Sequence, residues 1–224
     1  MAAGNDDSPA AREALATLCR IYWYPVYAFV RRRGRTPDDA RDLTQAYFTC
    51  LIERRDFADL RRERGRFRAF LLASLSHFLA NDAVRRRALK RGGGLDLQPL
   101  AFDDAEGRYR YEPVEPATPE LIFERRWALT VIDRVLADLR REAGDAGRLD
   151  EFDRLKACLL GGTPSGGYRA VAQELGTTEG AVKVAVHRLR RRFQAALRRH
   201  IAGTVLDPGE IDDEIRYLIR ALER

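Results

Sequence analysis

The residues of this chain best suited to chemistry are charged and polar side chains gathered at helical spacing. Glu179, Lys183, Val184, His187, Arg188, Arg191 and Arg192 recur at steps of three and four, the spacing that gathers side chains on one face of an α-helix. Arg can pair bidentately with guanine, Lys can reach guanine or phosphate, and Val can pack on a thymine methyl. Arg190 to Arg192 and Arg198 to Arg199 suit phosphates. A second basic group, His77, Asn81, Arg85, Arg86, Arg87, Lys90 and Arg91, closes another helical pattern. A third group has a different character. Asp39, Asp42, Leu43, Gln45, Phe48 and Leu51 form a mixed polar and apolar surface of the kind that meets a helical protein partner.

Other chemistries find little to work with. Cys19, Cys50 and Cys158 are far apart and form no CxxC pair, so they predict neither a zinc site nor a disulfide framework, and read as buried thiols of a reducing cytoplasm. His187 has only His77 and His200 for company in the whole sequence, too few for a metal site. Asp38 with Asp39, and Asp212 with Asp213, could suggest acid–base work, but both pairs fall at predicted helix starts, where carboxylates stabilise the helix dipole. The reading is therefore of a binding protein rather than an enzyme, with no catalytic residue, metal or cofactor.

The elements that must position these groups are all helical; no sustained period-2 alternation predicts a strand. Periodicity predicts helices near 10–33, 37–55 and 66–90, then near 119–142, 149–160, 167–175 and 178–200, and a short last helix at 208–223. Pro25 should kink or divide the first. Thr36 as N-cap, Pro37 at the first helical position and Asp38 and Asp39 in the first turn start the second, and Thr118-Pro119-Glu120 repeats that signature. Between Gly92 and Pro119, prolines and acidic residues predict a solvated linker, so the chain should hold two small helical domains at 10–91 and 119–200, a linker at 92–118 and a tail at 201–224.

The segment from Tyr168 to Phe193 predicts a helix-turn-helix. Val171, Ala172 and Leu175 should form the inner face of its first helix, and Ala181, Val182, Val186 and Leu189 that of its second. Gly176 permits the positive backbone angle of a tight turn, Thr177 or Thr178 can cap the second helix, and Ala172 and Ala181 are small enough for a close crossing. The bulk composition agrees with a polyanionic partner: 224 residues, 33% of them charged, carry a net charge of +6, with lysine only at Lys90, Lys156 and Lys183. The N-terminus lacks the apolar core of a signal peptide, and no apolar run approaches the ~20 residues of a membrane span, so a cytoplasmic location is expected.

Two domains, a basic third helix and a C-terminal helix-turn-helix together resemble the extracytoplasmic-function sigma factors, the compact branch of the sigma-70 superfamily. The resemblance covers roughly residues 15–91 and 119–200. Asp39-Ala-Arg-Asp-Leu-Thr-Gln-Ala-Tyr-Phe48 is similar to the family's core-binding helix, Gly65-Arg-Phe-Arg-Ala-Phe-Leu-Leu72 to the start of its promoter-melting helix, and the stretch from Glu179 to Arg192 to its upstream-element recognition helix. Ala46 stands where members often carry Glu, His77 where Asn is common, and the tail after His200 exceeds a minimal member. The resemblance implies core RNA polymerase as partner, through its clamp coiled coil and flap, and promoter DNA as target. The group from Asp39 to Leu51 would then meet polymerase. His77 to Arg91 would hold a −10 element with a base unstacked, and Thr178 together with the seven residues from Glu179 to Arg192 would read a −35 element. An anti-sigma factor or other regulator is a further partner class that the resemblance admits. The competing reading is a one-component transcriptional regulator, which would use the same helix-turn-helix as a dimer on paired half-sites. A helical nuclease is the third, and no carboxylate and histidine cluster supports it.

The tail carries its own pattern. Asp207-Pro208 is a cap and first residue, and Ile211, Ile215, Leu218, Ile219 and Leu222 repeat on one face of an acidic segment. A short helix is marginal alone and needs a surface to cover such a stripe. The expectation is that the second domain supplies it and gains a longer core; the alternative is that the tail bridges to the first domain and holds the free protein compact.

Overall fold

The computed structural model describes residues 9–53, 67–86, 105–110, 117–159, 162, 166–205 and 207–223. The fold is all-helical, with no strand among the described residues. In chain order the α-helices are α1 (Pro9–Arg32), α2 (Pro37–Glu53), α3 (Phe67–Arg86), α4 (Ala105–Arg110), α5 (Pro119–Asp145), α6 (Leu149–Leu155), α7 (Gly167–Glu174), α8 (Glu179–Ala202) and α9 (Ile211–Glu223). The chain divides into two compact units: Met1–Thr130 together with Ala202–Arg224, and Val131–Ile201.

The core of the first unit is aromatic. Tyr22, Tyr24, Tyr27, Phe29, Phe48, Phe67, Phe123 and Trp127 are all buried. The Tyr22 ring meets Phe67 edge-on at 5.2 Å and stacks on Phe123 at 6.4 Å, tying α1 to both α3 and α5. Helix α1 is continuous through Pro25, so the expected division does not occur. Proline costs ~3 kcal/mol inside a helix, and here the buried run from Tyr24 to Val30 outweighs it. Helix α2 starts as its sequence predicts: Thr36 Oγ1 accepts from the Asp39 amide at 3.2 Å and donates to Asp39 Oδ2 at 3.1 Å. Tyr47 fixes it to α3, donating to the Leu71 carbonyl at 3.1 Å and meeting Ser74 Oγ at 2.6 Å.

Part of the predicted linker is a built element. Helix α4 docks on α1 because Glu106 accepts from Tyr27 Oη at 2.8 Å and from Arg31 Nε and Nη2 at 2.9 and 2.8 Å. Arg31 also lies 4.7 Å from the Tyr109 ring centre, and Arg108 lies 4.0 Å from that of Tyr24. A carboxylate predicted to keep the segment solvated instead holds it down. Burial, then the Glu106 carboxylate, pushes the Tyr27 phenol up to about 12, so it is a lasting donor.

The tail belongs to the first unit, and not to the second as expected. Glu214, buried on α9, accepts from Arg68 Nε at 3.1 Å and Nη2 at 3.5 Å. Arg68 Nη1 reaches Glu124 of α5 at 3.5 Å, and its guanidinium lies 3.7 Å from the Tyr217 ring centre and 5.1 Å from that of Trp127. Burial works against the Arg68 charge, yet the Glu214 bonds and charge prevail and its pKa is raised. The Phe67 amide at the start of α3 donates to the Thr204 carbonyl at 3.4 Å. Of the predicted stripe Leu218 is buried, Ile211, Ile215 and Leu222 are half-buried and Ile219 is exposed, while Ala221, outside the stripe, is buried. Asp207 accepts from the Gly209 amide at 2.8 Å ahead of α9, with Pro208 at the first position of the short 3₁₀ turn there.

Candidate nucleic-acid interface

In the second unit α5, α6 and α8 bury a small core of Val131, Val135, Leu139, Phe152, Leu155 and Leu197. Helices α7 and α8 are joined by a four-residue turn whose backbone bonds are well placed. The Leu175 amide donates to the Val171 carbonyl at 3.0 Å and the Thr177 amide to Ala172 at 2.8 Å. Gly176 adopts φ +62°, a conformation glycine takes without penalty. Thr178 caps α8, its Oγ1 accepting from the Ala181 amide at 3.2 Å. Replacing Thr178 by Ala should cost ~1 kcal/mol, read as a lower melting temperature with the helical circular-dichroism signal retained; an unchanged midpoint would show that the cap contributes nothing.

The buried side of α8 is Val182, Val186, Leu189, Phe193, Ala196 and Leu197. Ala181 was expected among them and is exposed instead. Val182, the next residue and also expected on the inner side, is buried. The opposite side presents Glu179, Lys183, Val184, His187, Arg188 and Arg191, all exposed, with Val184 at 51%.

The cations of α8 are not equivalent. Arg190 Nε donates to the Cys158 carbonyl at 3.0 Å, Arg192 pairs with Glu142 at 2.6 Å, and Arg199 reaches the same carboxylate at 3.8 Å. Arg190 and Arg192 therefore anchor α8 to its own unit, which the sequence did not reveal. Lys183 is paired with Glu179 one turn back at 2.8 Å, which holds the Lys183 ammonium above and the Glu179 carboxylate below its ordinary value. His200 meets Asp138 of α5 at 2.8 Å. Between α6 and α8 lies an open cleft of about 750 Å³ with Arg148, Phe152 and Leu155 on one side and Ala181, Val184 and Arg188 on the other.

The first unit carries the remaining predicted residues. On α3 His77 and Asn81 are exposed, and Arg85 and Arg86 lie in the last turn of the helix; Arg87, Lys90 and Arg91 fall outside the described residues. On α2 Asp42 and Gln45 are exposed and Asp39 is half-buried at the cap. Leu43, Phe48 and Leu51, read as partner-facing, are 2%, 2% and 4% exposed. Their stripe closes on the unit's own core, so the surface that α2 offers is polar: Asp38, Arg41, Asp42, Gln45 and the small Ala46.

Of the cysteines, Cys158 is buried while Cys19 and Cys50 are only half-buried. Burial pushes the Cys19 thiol up to about 11, which makes it a poor nucleophile. Among the described residues no group of three or more His, Cys, Asp or Glu is placed to hold a metal ion. None of their helices is long and apolar enough to cross a membrane. No protein-family model, curated protein or solved structure matches the chain.

Proposed function

We propose that this chain is a sigma factor of the extracytoplasmic-function type, a cytoplasmic protein that binds core RNA polymerase and directs it to promoters. It acts by binding and positioning rather than by catalysis. The observation that carries the reading is the exposed strip of α8, where Lys183, Val184, His187, Arg188 and Arg191 lie at the surface of a capped helix behind a tight turn. Those residue types match major-groove readout of an upstream element. His77 and Asn81, with Arg85 and Arg86 one to two turns on, would hold the melted −10 strand. The acidic and amide face of α2, Asp42 with Gln45, would meet a helical surface of polymerase, and the flap and an anti-sigma factor are further partners in the same reading.

Purified core polymerase and genomic fragments in a run-off assay test it directly: the chain should yield discrete transcripts that core alone does not. Asp42→Arg combined with Gln45→Ala should weaken co-purification with core while leaving the melting temperature near that of the parent, since both side chains are exposed. Undiminished association of that double variant, with no promoter-dependent transcript from the parent, would sink the sigma reading and favour a one-component regulator.

A further inference from the structure

We infer that the cleft between α6 and α8 seats one sugar-phosphate strand of duplex DNA, and that Arg148 is a phosphate contact. This rests on the reading of α8 as a groove-binding helix. A helix lying in the major groove is flanked by the two backbones, so the surface beside its reading strip must leave room for a strand and offer it cations.

One flank of α8 does both. Gly180, Ala181 and Ala185 line the cleft with almost no side-chain bulk, and a Cβ built on Gly180 would meet no atom within 4 Å. Space therefore runs directly alongside Val184 and Arg188, which border both the strip and the cleft. On the far wall Arg148 stands in the turn between α5 and α6, with Glu151 the one carboxylate of the lining. Arg192, also in the lining, is committed to Glu142, which leaves Arg148 and Arg191 as the phosphate-facing cations and Arg188 at the base edges.

An acidic amphipathic helix of a protein is the other occupant with matching chemistry. The strand is favoured because the cleft is continuous with the exposed cationic strip and not separated from it.

The probe is a random-sequence 25-base-pair duplex, titrated into the full chain over a salt series. Arg148→Ala should lower the slope of log affinity against log salt by ~0.9, the loss of one phosphate contact. Arg140→Ala, a cation paired with Asp153 at 3.3 Å and absent from the cleft lining, should leave the slope unchanged. Ala181→Trp fills the cleft without altering charge and should weaken duplex binding markedly, with the melting temperature preserved because Ala181 is exposed. If the parent binds duplex with a steep salt slope and both Arg148→Ala and Ala181→Trp match it, the cleft assignment falls while the DNA reading stands. A parent without salt-dependent duplex binding overturns both. Should Ala181→Trp spare DNA binding but abolish co-purification with core polymerase, the cleft takes a protein segment and the strand assignment is wrong.

Discussion

Glu214→Ala should lower the stability of the first unit by about 3–5 kcal/mol, the usual cost of stripping one partner from a buried ion pair. Glu214 is 1% and Arg68 4% exposed, so the guanidinium cannot recover the lost carboxylate's bonds from water. Glu124 at 3.5 Å and the Tyr217 ring remain to it, which points to the lower end of that range. Against a typical total of about 5–15 kcal/mol this is a large fraction, and the melting midpoint should drop on the order of 10 °C. The double variant Arg68→Met with Glu214→Met should recover most of the loss, because an apolar pair of similar volume avoids desolvating two charges. Truncation after Gly203 should be more damaging, removing Leu218 and Ala221 from the unit's apolar interior along with the carboxylate. Hydrogen exchange localises the effect: amides of α1 and α3 should lose protection in the truncated chain while those of α6 and α8 keep theirs. A Glu214→Ala protein that melts with the parent would show that the pair is replaceable, and lost protection confined to α6 and α8 would assign the tail to the other unit.

The sequence made legible what is local. The cap at Thr36, the turn at Gly176 and the cap at Thr178 each involve residues within four positions of one another, and all three are in the structure. What it could not show is what covers an apolar stripe. Leu43, Phe48 and Leu51 repeat at helical spacing whether they face a partner or their own core, and only the packing of α2 against α1 and α3 turns them inward. Distance along the chain hides the rest. Glu106 finds Tyr27 79 residues away, and Glu214 finds Arg68 across 146, so the linker's carboxylates read as solvated and the tail's gave no sign of a buried partner. The same applies to the arginines of α8. The sequence presents a uniform run from Arg190 to Arg192, and the fold sorts it into one anchor on the Cys158 carbonyl, one exposed cation and one partner of Glu142. Of the four residues predicted to face inward on α8, Val182, Val186 and Leu189 are buried, and Ala181, one position before Val182, instead lines the cleft.

That sorting leads to the second large effect. Arg188→Ala should erase preference at one base pair of the upstream element, since a good bidentate contact carries ~1–3 kcal/mol of discrimination, about a thirtyfold preference at the middle of the range. Its side chain is exposed on the strip beside Val184, unlike Arg190 and Arg192, whose guanidiniums are held by their own unit. Arg199→Ala should behave differently. It lies about three turns farther along α8 and reaches Glu142 only at 3.8 Å, so it remains able to meet phosphate. Its loss should weaken all sequences alike and lower the salt slope by ~0.9. A promoter-library selection at two salt concentrations separates the two behaviours. Arg188→Ala should flatten one column of the selected sequences and keep the others, whereas Arg199→Ala should return the parent's preferences at reduced yield. Identical selected sequences for Arg188→Ala and the parent, with a reduced salt slope, would make Arg188 a phosphate contact. The face of α8 that reads bases would then be the one carrying Lys183 and His187, on the side away from the cleft.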